Sequence, residues 1–262
     1  MPETSGIFYA DEGKGYPVVL IHGFCETHEI WKNFSKELSK DFRVLSVDLP
    51  GFGKSKLLPE GFSITDVGIQ LVTWLKSLQV SSCVTIGHSL GGYVALAMAE
   101  QQPKLLQAFG LFHSTALADS EEKKESRNKV IEFVVKHGVV PFVESFIPPL
   151  FFDQTNSNIQ SVVTRASQTR PEALMAYVRA MRDRPDRTAV LKSFAGRVLF
   201  IAGEKDNGIP LDSITKQANM TANPVLHTLP LAGHMGMFEA PGRTVEMVRT
   251  FVLEESGGLK SG

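Results

Sequence analysis

The 262-residue sequence predicts an α/β fold, a mostly parallel central sheet with helices on both faces, interrupted by a helical insertion. Three observations predict it. Strand-like apolar runs alternate with helix-like blocks through the first 114 residues, the rhythm stops between Asp119 and Phe194, and it resumes at Val198. Strand–helix–strand alternation is the signature of parallel strands joined by right-handed helical crossovers.

Each element has its own reason. Val18-Val19-Leu20-Ile21 is a continuous apolar run ending at His22-Gly23, as expected of a strand buried on both faces. A helix follows near Ile30 to Ser39, then a strand from Val44 to Val47 that ends at Asp48, with Pro50 and Gly51 punctuating the next loop. Ser63 or Thr65 can cap a helix running to Leu78, with Ile69, Val72 and Leu75 on one face. Strand Cys83 to Ile86, helix Leu90 to Gln101 and strand Ala108 to Phe112 complete the first half.

The middle reads differently. Ser120-Glu121-Glu122 opens a helix whose apolar face is Val130, Ile131, Phe133 and Val134 and whose stop is Gly138. Pro148-Pro149 breaks the following segment, and Pro171 opens another helix at its first position. After Val198 to Ile201 come a helix near Asp212 to Ala218, a strand from Val225 to Thr228 and a closing helix from Arg243 to Leu253. The tail from Ser256 to Gly262 is Gly/Ser-rich and reads as loose.

Composition narrows the function. With 27 Lys+Arg against 28 Asp+Glu the formal net charge is −1, which offers no electrostatic footing for nucleic acid. Apolar runs are strand-length, far below the roughly 18 residues a membrane span needs. No cationic or apolar leader opens the chain, and two cysteines, Cys25 and Cys83, make no disulfide framework, so the expectation is a cytoplasmic protein.

Gly87-His88-Ser89-Leu90-Gly91 matches G-x-S-x-G, a weak signal alone. Its position between a buried strand and a helix is the context that makes it a nucleophile elbow, with Gly87, Gly91 and Gly92 providing room for the sharp turn. A serine needs a base. His234, after the last strand, is the preferred base and His113, also at a strand end, the runner-up. His22 and His88 read as packing or hydrogen-bonding residues beside the motifs. Asp206 is the preferred acid, with Glu204 and Asp119 as rivals. The backbone N–H groups of Phe24 and Leu90 are placed to form an oxyanion hole.

These segments together resemble the α/β-hydrolase superfamily over nearly the whole chain. His22-Gly23-Phe24 is similar to its oxyanion loop, Asp48-Leu49-Pro50-Gly51-Phe52-Gly53-Lys54-Ser55 to its D-x-P-G-x-G-x-S segment, and Gly87 to Gly92 to its elbow. Gly203 to Asp206 and Gly233-His234 resemble its acid and base loops, in the chain order Ser, Asp, His. The family's leading hairpin looks reduced to one strand near Ile7 to Ala10. The resemblance implies a catalytic domain of residues 1–114 and 196–262 under a helical cap of residues 115–195.

Serine at the elbow argues against the family's dehalogenase and epoxide hydrolase branches, which place Asp there. It implies a serine hydrolase acting on a small to medium, largely apolar ester, thioester or lactone. Cofactor-free perhydrolase and C–C bond hydrolase chemistry remain alternatives, as does a non-catalytic binding protein. A small-molecule substrate, no cofactor, no metal and a monomer or homodimer complete the expectation. Gly51-Phe52-Gly53-Lys54-Ser55 fails as a P-loop because Asp48 stands where the first Gly belongs, and His28-Glu29-Ile30-Trp31-Lys32 fails as H-E-x-x-H at Lys32. Cys25 reads as a small buried residue beside the oxyanion loop.

In the insertion, Phe142, Phe146, Ile147, Leu150, Phe151 and Phe152 surround two prolines. With Phe24, the aromatic rings of Phe142, Phe146 and Phe151 are candidates for a pocket wall, packing of the cap being the competing role. The run Glu121 to Glu125 reads as a solvated face, and Arg179, Arg182 and Arg184 as the cations available to an anionic substrate.

Overall fold

The computed structural model describes residues 6–257, and the first five and last five residues lie outside the described region. Seven strands form one sheet: β1 (Tyr9–Glu12), β2 (Pro17–Ile21), β3 (Arg43–Val47), β4 (Cys83–His88), β5 (Leu106–Phe112), β6 (Val198–Gly203) and β7 (Pro224–Leu229). Their order is β1-β3-β2-β4-β5-β6-β7, every pairing parallel except β1 on β3. Val18 to Ile21 are fully buried, and so are all six residues of β4 and of β6, because helices cover both faces of the sheet.

The helices are α1 (Lys32–Leu38), α2 (Ile64–Ser77), α3 (Leu90–Gln101), α4 (Glu121–His137), α5 (Val139–Phe146), α6 (Ile159–Ala166), α7 (Pro171–Arg182), α8 (Thr188–Ser193), α9 (Leu211–Asn219), α10 (Gly236–Glu239) and α11 (Pro241–Gly257). Ser63 caps α2 in a reciprocal box with Asp66, its hydroxyl accepting from the Asp66 N–H while the Asp66 carboxylate takes the Ser63 N–H. Thr65 lies inside the helix. The buried stripe of α2 runs through positions 64, 67, 68, 71, 72 and 75, so Ile69, expected on that face, points outward and is 44% exposed. Gly68 lets α2 approach α3 closely, since a Cβ there would stand 2.8 Å from the Ala97 Cβ.

Three other expectations shift. The single leading strand forms at Tyr9–Glu12, two residues later than expected, as an antiparallel edge. Only Val134 of the expected apolar face of α4 is buried, and the Phe133 ring meets His137 in a tilted contact at 4.7 Å at the surface. Ser256 and Gly257 end α11 rather than a loose tail, the rest of which lies outside the described residues.

Because six strands are parallel, the segments that follow β2, β3, β4, β5, β6 and β7 all emerge at one edge of the sheet. His22, Asp48, Ser89, His113, Asp206 and His234 gather there. Strands β5 and β6 are hydrogen-bonded neighbours, so the chain leaves the sheet after Phe112, makes helices α4 to α8, and returns beside the strand it left.

Candidate active site

Ser89 joins β4 to α3 with φ 49° and ψ −112°, a conformation that non-glycine residues rarely adopt. The turn is locked from outside. The Ser89 N–H donates to the Phe112 carbonyl (2.9 Å), and its own carbonyl accepts from the Gly92 N–H (2.9 Å) and the Ser114 hydroxyl (2.7 Å). Glycine is obligatory around it. A Cβ at Gly87 would land on the Gly91 carbonyl, and one at Gly91 on the Ile21 carbonyl. Both obstacles are backbone, which cannot step aside.

The turn after β2 is held by two side chains. The His22 Nε2 accepts from the Leu49 N–H (2.9 Å), which leaves the proton on Nδ1 to donate to the Gly23 carbonyl (2.7 Å). The Gly23 N–H donates to the buried Glu26 carboxylate at 2.5 Å. The Phe24 N–H takes no part in these bonds. The Leu90 N–H, first in α3, has no acceptor inside its helix.

His234 donates from Nδ1 to Asp206 Oδ2 at 2.7 Å, which leaves Nε2 as the nitrogen available for proton transfer. The other Asp206 oxygen accepts from the Gly208 and Ile209 N–H groups at 2.8 and 3.0 Å. Burial works against the Asp206 charge. The charge of His234 and the hydrogen bonds from His113 and His234 outweigh it, so the carboxyl lies far below the ordinary carboxylate range. The backbone of His234 is tied on both sides, its N–H to the Leu150 carbonyl (2.7 Å) and its carbonyl to His88 Nε2 (2.9 Å).

Ser89, His234 and Phe24 line one cavity of about 380 Å³ whose far wall comes from α4, α5 and α7. Phe24, Phe142 and Phe146 line it together, with ring centroids 5.2 to 6.3 Å apart. Phe151 does not. The chain is extended at Phe151 after the Pro148–Leu150 turn, and its ring packs on Phe238 at 6.1 Å, 2% exposed.

The alpha/beta hydrolase family profile matches residues 18–247. The chain belongs to the alpha/beta hydrolase family. Among solved structures, this hydrolase superposes on a thermophilic esterase from Thermogutta terrifontis with a TM-score of 0.91. The two are 30% identical, over 95% of this chain and 94% of that one. A putative carbamate hydrolase of Stutzerimonas stutzeri is 38% identical over 83% of this chain and 84% of its own length. A 2-hydroxymuconate semialdehyde hydrolase from a Pseudomonas species is 26% identical over 93% and 89%.

The remaining candidates of the hydrolase separate by their surroundings. Glu204 is exposed, while Asp119 is held by Arg184 at 2.7 Å and Arg127 at 2.9 Å, so neither reaches His234. His113 is fully buried behind Asp206, with Nδ1 3.4 Å from its Oδ2, and burial pulls its imidazole down to about 4. His113, Asp206 and His234 bring three potential ligand atoms within 4.8 Å, but the Asp206 oxygens are already taken by N–H donors. Cys25 is buried, its thiol pushed up by desolvation, and stands at φ 59°.

The network around Glu26 is invisible in the sequence. Its carboxylate lies 2.9 Å from His88 Nδ1, with both side chains at most 2% exposed. Burial opposes charge on each, yet their mutual attraction prevails, lowering the Glu26 carboxyl and raising the His88 imidazole. One buried ion pair thus links the turn at Gly23, the elbow, and the His234 carbonyl. Of the cations read from the sequence, Arg184 lies over the Tyr93 ring, Arg182 bonds Asp183 and Asn128, and Arg179 is exposed. Lys123 and Arg127, on α4, are the cations that line the cavity.

Proposed function

We propose that the protein is a serine hydrolase that cleaves carboxylic esters through an acyl-enzyme, with Ser89 as nucleophile, His234 as base and Asp206 as its acid. One observation carries the reading: the 2.7 Å bond from His234 to Asp206 leaves a free imidazole nitrogen in the cavity that Ser89 enters from a strained turn. The likeness to the esterase from Thermogutta terrifontis supports it.

Ser89 Oγ attacks the ester carbonyl while His234 Nε2 takes its proton, and Asp206 holds the imidazolium through Nδ1. The Phe24 and Leu90 N–H groups receive the oxyanion. Collapse expels the alcohol, protonated by Nε2. A water then gives a proton to the same nitrogen and attacks the acyl group, which leaves as a carboxylic acid. Residues 115–195 act as a cap that supplies the far wall. Phe24, Phe142 and Phe146 give the acyl or alcohol chain an apolar surface, which favours a small to medium ester. No helix among the described residues is long and apolar enough to cross a membrane, and a cytoplasmic enzyme working as monomer or homodimer is part of the same proposal.

The test is labelling by a fluorophosphonate together with p-nitrophenyl butyrate turnover. Wild type is expected to label and turn over, and Ser89→Ala to do neither. Near-wild-type turnover in Ser89→Ala removes the assignment. Because a relative is a semialdehyde hydrolase, a C–C substrate belongs in the same panel, and faster turnover there moves the reading to that chemistry.

A further inference from the structure

The residues of α4 that line the cavity are Lys123, Ser126, Arg127 and Val130, a spacing that places them on one helical face. Two of the four are cations, and no carboxylate side chain lines the cavity. The acid paired with Arg127, Asp119, is shared by Arg127 (2.9 Å) and by the buried Arg184 (2.7 Å), so that cluster carries an excess positive charge. Arg184 is held to the Met181 and Leu117 carbonyls at 2.8 and 2.9 Å, so it does not leave to restore balance.

Arg127 uses its Nε for Asp119, and among the described residues its two terminal nitrogens make no hydrogen bond. Among the described residues the Lys123 ammonium meets only a backbone carbonyl, that of Gly208, at 3.1 Å. Gly208 belongs to the loop that holds Asp206, so the ammonium sits beside the catalytic end of the cavity, and Arg127 follows one helical turn away. Glu121 is engaged by Lys124 at 2.7 Å, and Glu122 and Glu125 are exposed on other faces of α4.

A lysine with no acidic partner among the described residues, and an arginine that shares its one carboxylate with a second arginine, line the same cavity as the nucleophile and two phenylalanine rings. Together they describe a site for a molecule apolar in the middle and anionic at one end. We propose that the substrate is an ester bearing a second, ionised carboxylate, of the class of half-esters of short dicarboxylic acids. Its chain lies against Phe142 and Phe146 and its carboxylate on Lys123 and Arg127. This rests on the serine hydrolase reading and names its substrate class.

The experiment compares kcat/KM for monomethyl esters of the dicarboxylic acids from malonate to adipate with their neutral dimethyl counterparts. The wild type is expected to favour at least one half-ester at least tenfold, with the preference shrinking as salt is raised. Arg127→Met and Lys123→Met should each lower that ratio by a factor of about ten, mainly through KM, and Arg127→Lys should keep part of it. Circular dichroism and Tm on each variant separate binding from folding. A wild-type preference for every neutral diester overturns the proposal, as does a ratio unmoved in both Met variants. No turnover of either ester class by a protein that still labels with fluorophosphonate also overturns it while leaving the serine hydrolase standing. Absence of labelling removes both.

Discussion

The two walls of the cavity are built by different means. The sheet-side wall consists of strand ends held mainly by backbone atoms and by one buried side-chain pair: the Gly91 position lies against the Ile21 carbonyl, Ser89 is bonded to Phe112, and the Glu26 carboxylate bridges Gly23 and His88. The helical wall consists of side chains, among them two stacked phenylalanine rings, Phe142 and Phe146, and two cations with spare hydrogen-bonding capacity. It also keeps apolar groups at the surface, with Val135 72% and Val140 46% exposed. A wall of backbone cannot vary without losing its shape, whereas a wall of side chains can change its contents one residue at a time. On the proposed mechanism, the contrast assigns rate to the first and selectivity to the second.

The largest effect should come from Asp206→Asn, which keeps the shape but removes the charge that holds the His234 tautomer. A fall of about 10⁴ in kcat with KM within a few fold is expected from steady-state kinetics. An effect confined to KM would break the division between the walls.

Glu26→Gln tests whether the proposed rate-setting wall extends beyond the proposed triad. Loosening the Gly23 turn and the His234 carbonyl together should lower kcat by about 10² with little change in KM. Loss of a buried partner should also cost about 3–5 kcal/mol in stability. The double variant Glu26→Gln/His88→Gln, which leaves no orphaned charge, should recover part of the lost Tm. If kcat is unchanged while Tm drops, the pair is structural alone.

On the helical wall, Phe142→Ala should raise KM for hexanoate esters by about tenfold, roughly the value of burying an aromatic ring in part, and leave acetate esters nearly unaffected. A uniform fall in kcat would show that this wall too sets the rate.

The smallest effect concerns pH. The buried His113 stays neutral in the folded protein down to about 4, against 6.5 in the ordinary range. Between those values the unfolded chain binds a proton that the folded one refuses, so the stability is complete above pH 6.5 and is lost as pH falls toward 4. Calorimetry across that window should show a falling Tm, with a shallower slope in His113→Gln. A slope remains in the variant because burial lowers His22 in the same direction.

Legibility in the sequence followed the range of the interactions. The buried strands, the Ser63 cap and the glycines about Ser89 answer to constraints within a few residues, and these are readable from local pattern. Glu26 escaped because its partners lie at Gly23 and at His88, 62 residues away. Phe142 and Phe151 share one apolar run, and only the chain direction after Pro148 turned one into the cavity and the other onto Phe238. Lys123 sits in a charged run of which it alone lines the cavity, while the arginines named from the sequence are consumed by ion pairs, a ring or exposure.

The sequence alone determined the order of strands and helices, the elbow and the place of the insertion, because periodicity, capping and turn chemistry act over a few residues. Only the tertiary structure shows which histidine shares a cavity with Ser89, which carboxylate is bonded to that histidine, and which cations and rings line the cavity. Those are matters of distance between segments far apart in the chain, and no local rule carries them.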